Sequence, residues 1–223
     1  MDKIKKAILG NKGFIALMFG MLFFRSAIAD WYVVPSSSMY PTLVIGDHVF
    51  ANRLAYDVKM PFTDVILKHN ADPVRGDIVT FTSPADGVRL VKRLVAVPGD
   101  VVEMRDEKLI INNVPLAYQA VNSTVALTPD YSGQQIVLNE NLLGRAHDII
   151  QMPDRRSIRS FGPVTVPEGQ FLMLGDNRDY SRDFRYIGFV KRELITGKVE
   201  RVLYSLDAQN YYLPRLNRLA FAL

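Results

Sequence analysis

The sequence predicts a mainly β protein with one apolar segment near its N-terminus. Runs rich in β-branched and aromatic residues, separated by turn residues, recur from residue 31 onward, and sustained helical periodicity is scarce there. Hydrophobic residues make up 48% of the 223 residues and charged residues 22%. This balance is typical of a chain with a substantial core and argues against a disordered one.

The first 29 residues differ from the rest. An apolar run over Phe14–Phe24 precedes Arg25 and Ala27–Ala29 and follows four lysines, Lys3, Lys5, Lys6 and Lys12. As a helix, Phe14–Ala29 is about 24 Å long against a hydrocarbon core of ~30 Å, so a crossing needs help from the flanking residues. We expect residues 1–29 to form a cytoplasmic tip and a single membrane anchor. A cleavable signal peptide ending at Ala29 is the alternative.

Six segments after the anchor have the composition of strands: Asp77–Thr82, Val88–Val97, Val101–Met104, Leu109–Ile111, Gln170–Leu174 and Gly197–Tyr204. Pro98–Asp100 and Arg105–Lys108 lie between such runs and predict turns, the second closing a hairpin. Residues 105–168 are more polar and rich in loop residues. We expect them to form an inserted cap domain on a core built from residues 30–104 and 169–223.

Composition excludes several kinds of site. The chain has no cysteine, which rules out disulfides, thiolate metal sites and a cysteine nucleophile. Its three histidines lack metal-ligand spacing, so only carboxylates remain as ligands and we expect no metal. Basic and acidic residues are interspersed at a net charge of +4. That pattern favours an anionic membrane surface over nucleic acid as a partner.

A serine-rich segment, Pro35–Thr42, lies just past the anchor. Alone it predicts a turn. A possible base for one of its serines is Lys92, which shares a strand face with Leu90, Leu94 and Ala96 if the strand alternates regularly. Burial there would favour the neutral amine, which can accept a serine proton. The alternative is a lysine that extends into solvent from an edge strand.

A second polar cluster, Gly175–Arg185, follows an apolar strand. Its carboxylates do not follow the spacing of a calcium loop, and its arginines oppose cation binding. Alone it predicts a salt-bridged turn.

Together these segments resemble bacterial type I signal peptidase, the membrane-anchored Ser/Lys leader peptidase. The pieces that match in order are Arg25-Ser26, Pro35–Leu43 with Gly46-Asp47, Arg75–Val79, Lys92-Arg93 with Pro98–Asp100, and Gly175–Asp179 with Ser181, Asp183, Arg185 and Gly188. The resemblance implies a β-rich catalytic core with an inserted second domain, preceded by one membrane helix.

The resemblance also implies roles for individual residues. Ser38 is expected to be the nucleophile and Lys92 the general base. The Ser36 hydroxyl and the Ser38 backbone N–H would form the oxyanion hole, and Ser181 would orient Lys92. A structural ion pair is expected between two residues of the second cluster, Asp183 and Arg185.

The implied substrate is an exported preprotein with small residues one and three positions before the cut, and no cofactor is needed. The implied location is the bacterial inner membrane, crossed once, with the catalytic part on the extracytoplasmic side. The chain departs from the family pattern at three positions: Ser37, Tyr180 and Phe184 stand where glycine, asparagine and serine are common.

Other functions remain open at this point. A specialised peptidase for conjugation or pilin maturation would use the same chemistry. An exported, non-enzymatic β-rich binding protein would have Asp30 as its mature N-terminus. A Ser/Lys self-cleaving repressor is disfavoured by the apolar segment and by the lack of a helix-turn-helix stretch.

Overall fold

A computed structural model describes residues 10–63, 65–121 and 127–223. Within these ranges the chain is mainly β, as predicted, with two α-helices, α1 (Lys12–Ala27) and α2 (Phe184–Ile187). The strands are β1 (Ala29–Val33), β2 (Asp47–Asn52), β3 (Asp57–Lys59), β4 (Ile66–His69), β5 (Ile78–Thr82), β6 (Arg89–Ala96), β7 (Val101–Arg105), β8 (Lys108–Ile111), β9 (Val114–Pro115), β10 (Ala117–Ala120), β11 (Ile136–Leu142), β12 (Arg145–Gln151), β13 (Phe161–Thr165), β14 (Gln170–Leu174), β15 (Val190–Lys191), β16 (Ile195–Asp207) and β17 (Leu213–Pro214).

The largest sheet joins strands that are far apart in the chain. Its order is β1-β2-β16-β5-β6-β14-β15, with β17 beside β16. β6 lies between β5 and β14, and all three are antiparallel to their neighbours. Most of β5 and the second half of β6 are buried. A side chain in the middle of β6 is therefore shielded from water.

Two smaller sheets are built mostly from the segment that the sequence predicts to be rich in loops, and β7, which the predicted division places in the core, pairs with β8 and β13 in one of them. Their orders are β13-β7-β8-β9 and β10-β11-β12. The predicted hairpin turn is confirmed: Asp106 and Glu107 join β7 to β8, both with positive φ, the geometry of a type I′ turn. β11 and β12 are seven residues each. This part therefore has more strand than expected, because Asn139–Asn141 lowers the apparent strand propensity of β11.

The small sheets share a hydrophobic cluster with the largest one. Val102, Leu109 and Leu142 pack in this cluster with Val95 of β6 and Leu174 of β14. β6 and β14 of the largest sheet thus pack directly against the two smaller sheets.

Helix α1 contains most of the predicted apolar segment, and none of its residues is buried. It ends at Ala27 rather than Ala29, because Ala29 opens β1 and pairs with Asn52. In the described ranges, no helix combines the length and hydropathy that crossing a membrane requires. The lysines predicted to face the cytoplasm, Lys3, Lys5 and Lys6, lie outside the described residues.

Candidate active site

The predicted nucleophile, Ser38, lies in the loop between β1 and β2. Two apolar residues of this loop, Met39 and Leu43, are almost fully buried and pack with Val34 and Val49. The Tyr40 N–H donates to the Ser37 carbonyl at 3.1 Å and closes a tight turn. Apolar anchoring on one side of a tight turn holds Ser38, a half-buried residue, at the surface of the core.

Lys92 reaches this serine from the middle of β6. Its Nζ lies 2.7 Å from Ser38 Oγ and 2.9 Å from the Val91 carbonyl oxygen. The lysine is only 2% exposed. The two predicted dyad residues, 54 positions apart in sequence, are thus in hydrogen-bond contact.

Burial lowers the pKa of Lys92 to about 8. The cause is loss of water around the ammonium, which penalises the charged form. The carboxylates of Asp183 and Asp176 act in the opposite direction but do not overcome it. A lysine with this pKa is substantially neutral in mildly alkaline solution and can act as a base.

Hydrogen-bond donors lie beside the serine. Ser36 Oγ is 3.5 Å from Ser38 Oγ, and the Ser36 side chain is exposed. The Ser38 backbone N–H donates to no acceptor in the described part of the chain. A hydroxyl and a backbone N–H without an acceptor in the described residues are thus present at Ser38, and both are the kinds of donor that can stabilise an oxyanion.

The Gly175–Arg185 segment lies against the serine loop. The Asn177 side chain donates to the Ser37 carbonyl at 3.0 Å, and its backbone N–H donates to the Ser38 carbonyl at 3.2 Å. Asn177 is fully buried. A Cβ on Gly175 would come within 2.5 Å of the Ser38 carbonyl oxygen, so only glycine permits this approach.

Ser181, which is expected to orient Lys92, is buried near the dyad but makes no hydrogen bond to it. Its Oγ has no hydrogen-bond partner within the described ranges. A Cβ on Gly175 would lie 2.2 Å from this oxygen, so the Ser181 hydroxyl occupies the space that a side chain at position 175 would need.

Asp183 and Arg185 form the expected ion pair, with 2.8 Å between Arg185 Nη2 and Asp183 Oδ2 and both side chains fully buried. Asp183 also accepts a hydrogen bond from the Gly175 N–H at 3.1 Å. Arg185 donates to the carbonyl of Arg178. The pair therefore fixes both ends of the turn that carries Asn177.

Two further buried ion pairs support the site, and the sequence predicts neither. Arg93 donates to Asp176 at 2.7 and 2.8 Å, and Arg178 donates to Glu140 at 2.6 and 2.7 Å. Burial alone would raise the pKa values of the two carboxyls, but the paired arginines hold both below their ordinary values. His147 lies between the pairs, and burial lowers its pKa to about 4, so it is neutral near pH 7.

Only the Arg93–Asp176 pair has a signal in the sequence, and that signal lies at Arg93. Arg93 interrupts an apolar strand, and a charge in such a position needs a partner. Glu140 gave no comparable signal, because it lies in a polar stretch remote from Arg178 in sequence.

A cleft of about 420 Å³ opens at the dyad. Ser36, Ser38 and Lys92 line it together with apolar residues, among them Val34 and Leu90. A larger cavity of about 860 Å³ lies beyond Pro41 and Thr42, and neither dyad residue lines it. In the described part of the chain, no group of three or more His, Asp or Glu side chains has the arrangement of a metal site.

Comparisons with known proteins show the family of this chain. Residues 8–204 match the family model described as signal peptidase, peptidase S26. Signal peptidase I of Pseudomonas fluorescens and that of Pseudomonas aeruginosa are each 33% identical over 221 residues, covering 93% of this chain and 76% of theirs. Signal peptidase I of Aquifex aeolicus is 32% identical over 222 residues, covering 85% of this chain and 81% of its own. The chain belongs to the signal peptidase family, peptidase S26.

Proposed function

We propose that this protein is a serine endopeptidase that removes signal peptides from exported preproteins. The single observation that carries the proposal is the 2.7 Å contact between Ser38 Oγ and the Nζ of buried Lys92, in a chain of this family. The names of the relatives support the substrate class.

The chemistry requires only these two side chains and nearby donors. Neutral Lys92 accepts the Ser38 proton as Ser38 Oγ attacks the carbonyl before the scissile bond. The lysine then returns the proton to the leaving amine, and water hydrolyses the acyl-enzyme. The Ser36 hydroxyl and the Ser38 N–H stabilise the oxyanion. Ser181, a buried residue whose hydroxyl has no partner within the described ranges, is the residue proposed to orient Lys92. The reaction requires no metal or organic cofactor.

The cleft at the dyad supports a preference for small residues. Its volume of about 420 Å³ is largely bounded by apolar side chains. An extended preprotein places alternate side chains on one face, so those one and three positions before the cut would enter the cleft together. A larger side chain at either position would clash.

The proposed location is the bacterial inner membrane, with α1 as a single-pass anchor and the strands on the extracytoplasmic side. The exposed apolar surface of α1 supports the anchor. We retain the proposed division of the chain: the anchor at 1–29, a catalytic core from 30–104 and 169–223, and a cap from 105–168.

The alternative of a specialised pilin or conjugation peptidase uses the same dyad, so substrate profiling separates it from a general enzyme. The alternative of a binding protein that is cleaved after Ala29 predicts Asp30 as the mature N-terminus, which N-terminal sequencing tests. Ala29 is 2% exposed and pairs with Asn52 of β2, so a chain cleaved after Ala29 would lose the first residue pair between β1 and β2.

The test is cleavage of a labelled preprotein by the full-length protein in detergent. Wild type should release the signal peptide, and Ser38→Ala should not, because the nucleophile is absent. Ser37→Ala is the matched control, since it removes the neighbouring hydroxyl and should retain activity. An active Ser38→Ala variant or an inactive Ser37→Ala variant would contradict the assignment.

A further inference from the structure

Basic side chains line the cleft at the dyad without any acidic one. Arg89, Lys92 and Arg182 line it, and no aspartate or glutamate of the described residues does. The side chains of Arg89 and Arg182 are 44% and 57% exposed. Lys92 is the proposed base, but the proposed chemistry makes no use of the two arginines. A negative side chain of a bound peptide would be stabilised beside them.

The partner of Arg182 lies outside the cleft. Arg182 Nη1 is 2.5 Å from Asp86 Oδ2, and the side chain of Asp86 is 31% exposed. Asp86 is in the turn that joins β5 to β6. An ion pair with this exposure is weak, because water and salt screen both charges. A carboxylate from another molecule can therefore replace Asp86 at little cost.

Arg89 is only partly neutralised by its neighbours. Its Nη1 lies 3.8 Å from Asp30 Oδ2 and donates to the Tyr32 hydroxyl at 2.9 Å. Asp30 also faces Arg25 at 2.7 Å and Arg53 at 4.0 Å. Because three guanidinium groups share this carboxylate, net positive charge remains at the Arg89 end of the cleft.

The edge of β6 between the two arginines is open. β14 pairs with β6 only over Arg93–Ala96, so within the described residues Arg89–Lys92 pair with β5 alone. The Gly175–Arg185 segment follows β14 and therefore starts at the Lys92 end of this edge. The ion pair of Arg182 and Asp86 joins that segment to the turn at the Arg89 end. An extended peptide that adds to this edge passes the guanidinium of Arg182.

We infer that Arg182 is a specificity-determining residue, whose guanidinium exchanges Asp86 for an acidic side chain two positions before the cut in the preprotein. This inference rests on the proposed peptidase function. Side chains one and three positions before the cut would enter the cleft, so the side chain between them faces its rim. Arg182 directly follows Ser181, which is buried near the dyad, so this position is the nearest of those that face the rim. Arg89 adds to the attraction for a carboxylate.

The test compares two preprotein peptides that differ only at the position two before the cut, with Asp in one and Asn in the other. Both keep Ala one and three positions before the cut. Full-length wild type, Arg182→Gln and Asp86→Asn are assayed for kcat and KM in neutral detergent at low salt. Arg105→Gln is the matched control, because Arg105 is also an exposed arginine paired with a carboxylate, that of Glu103 at 2.5 Å, and does not line the cleft.

We expect wild type to have a KM roughly 2–5-fold lower for the Asp peptide than for the Asn peptide, with similar kcat. This ratio should fall to one in Arg182→Gln and persist in Arg105→Gln. It should widen in Asp86→Asn, because the substrate carboxylate then has no competitor. Added salt should shrink it in wild type. A merely structural role for Arg182 would change both peptides equally.

Two results would overturn the inference and leave the peptidase function intact. The first is an equal KM for the two peptides in wild type, and the second is a ratio that survives Arg182→Gln. Failure of wild type to cleave either peptide would overturn the proposed function and the inference together.

Discussion

Lys92 is an ionisable group in a buried position. Its pKa is set by the competition between lost hydration and the attraction of nearby carboxylates. The lysine is 2% exposed, and the nearest acidic groups stabilise its ammonium less than lost hydration destabilises it. The pKa therefore falls from 10.5 to about 8. The amine is then a base that needs no histidine to activate the serine.

The same shift has a consequence for stability. A folded-state pKa below the unfolded one means that the unfolded chain binds the proton more tightly. The shift from 10.5 to about 8 costs about 3 kcal/mol below pH 8, and this cost fades as the pH rises through the unfolded pKa. Lys92→Met should be inactive yet as stable as wild type or more stable near neutral pH, since its side chain fills the space without a charge. Urea unfolding as a function of pH measures this, and a large loss of stability at pH 7 would contradict the account.

Ser36 is expected to act on the rate of the chemical step rather than on substrate binding. Ser36→Ala should lower kcat by roughly 10²–10³ with little change in KM, because the hydroxyl stabilises charge that develops only in the transition state. Ser37→Ala is the control. Steady-state kinetics with a preprotein substrate distinguishes the two, and a change confined to KM in Ser36→Ala would assign that hydroxyl to substrate binding instead.

At the scale of elements, the site depends on the ion pair between Glu140 of β11 and Arg178 of the Gly175–Arg185 segment. The side chain of Arg178 is 1% exposed and that of Glu140 is fully buried. Each charge therefore stabilises the other in place of the water that burial has removed. Breaking such a pair leaves an isolated buried charge.

Glu140→Leu should therefore cost about 3–5 kcal/mol of unfolding free energy, and adding Arg178→Met should recover much of it. Asp86→Asn is the control, since it breaks the Arg182–Asp86 pair, whose side chains are 57% and 31% exposed, and should change stability far less. Chemical denaturation of the four proteins provides the measurement. An equal loss from Glu140→Leu and Asp86→Asn would show that burial does not govern these pairs.

Strands and turns were predictable from the sequence where the signal is local. β5, β6, β7, β8 and β14 lie within a residue of their predicted limits, because a β-branched apolar run specifies a buried strand by composition alone. β11 and β12 were not predicted, because pairing with each other compensates for their polar residues. The role of Glu140 was also not predicted, because its partner, Arg178, lies in a distant part of the sequence.

At the scale of the whole molecule, the candidate site unites residues from three distant segments. The serine comes from the loop after β1, the lysine from β6 and Asn177 from the segment after β14. The resemblance to the family predicted the nucleophile and the base. Only the assembled sheet determines the 2.7 Å contact between Lys92 and Ser38. The hydroxyl of Ser181, whose role the resemblance also implied, has no hydrogen-bond partner in the described residues.

The most direct test of the proposed dyad is the pH dependence of single-turnover preprotein cleavage by the full-length protein, with chemistry rate-limiting. We expect a rate that rises along one ionisation near pH 8, because only neutral Lys92 accepts the Ser38 proton. Lys92→Met should show no cleavage at any pH. A rate that stays flat from about pH 6 to about pH 10, or a Lys92→Met protein that still cleaves, would contradict the assignment of Lys92 as the base.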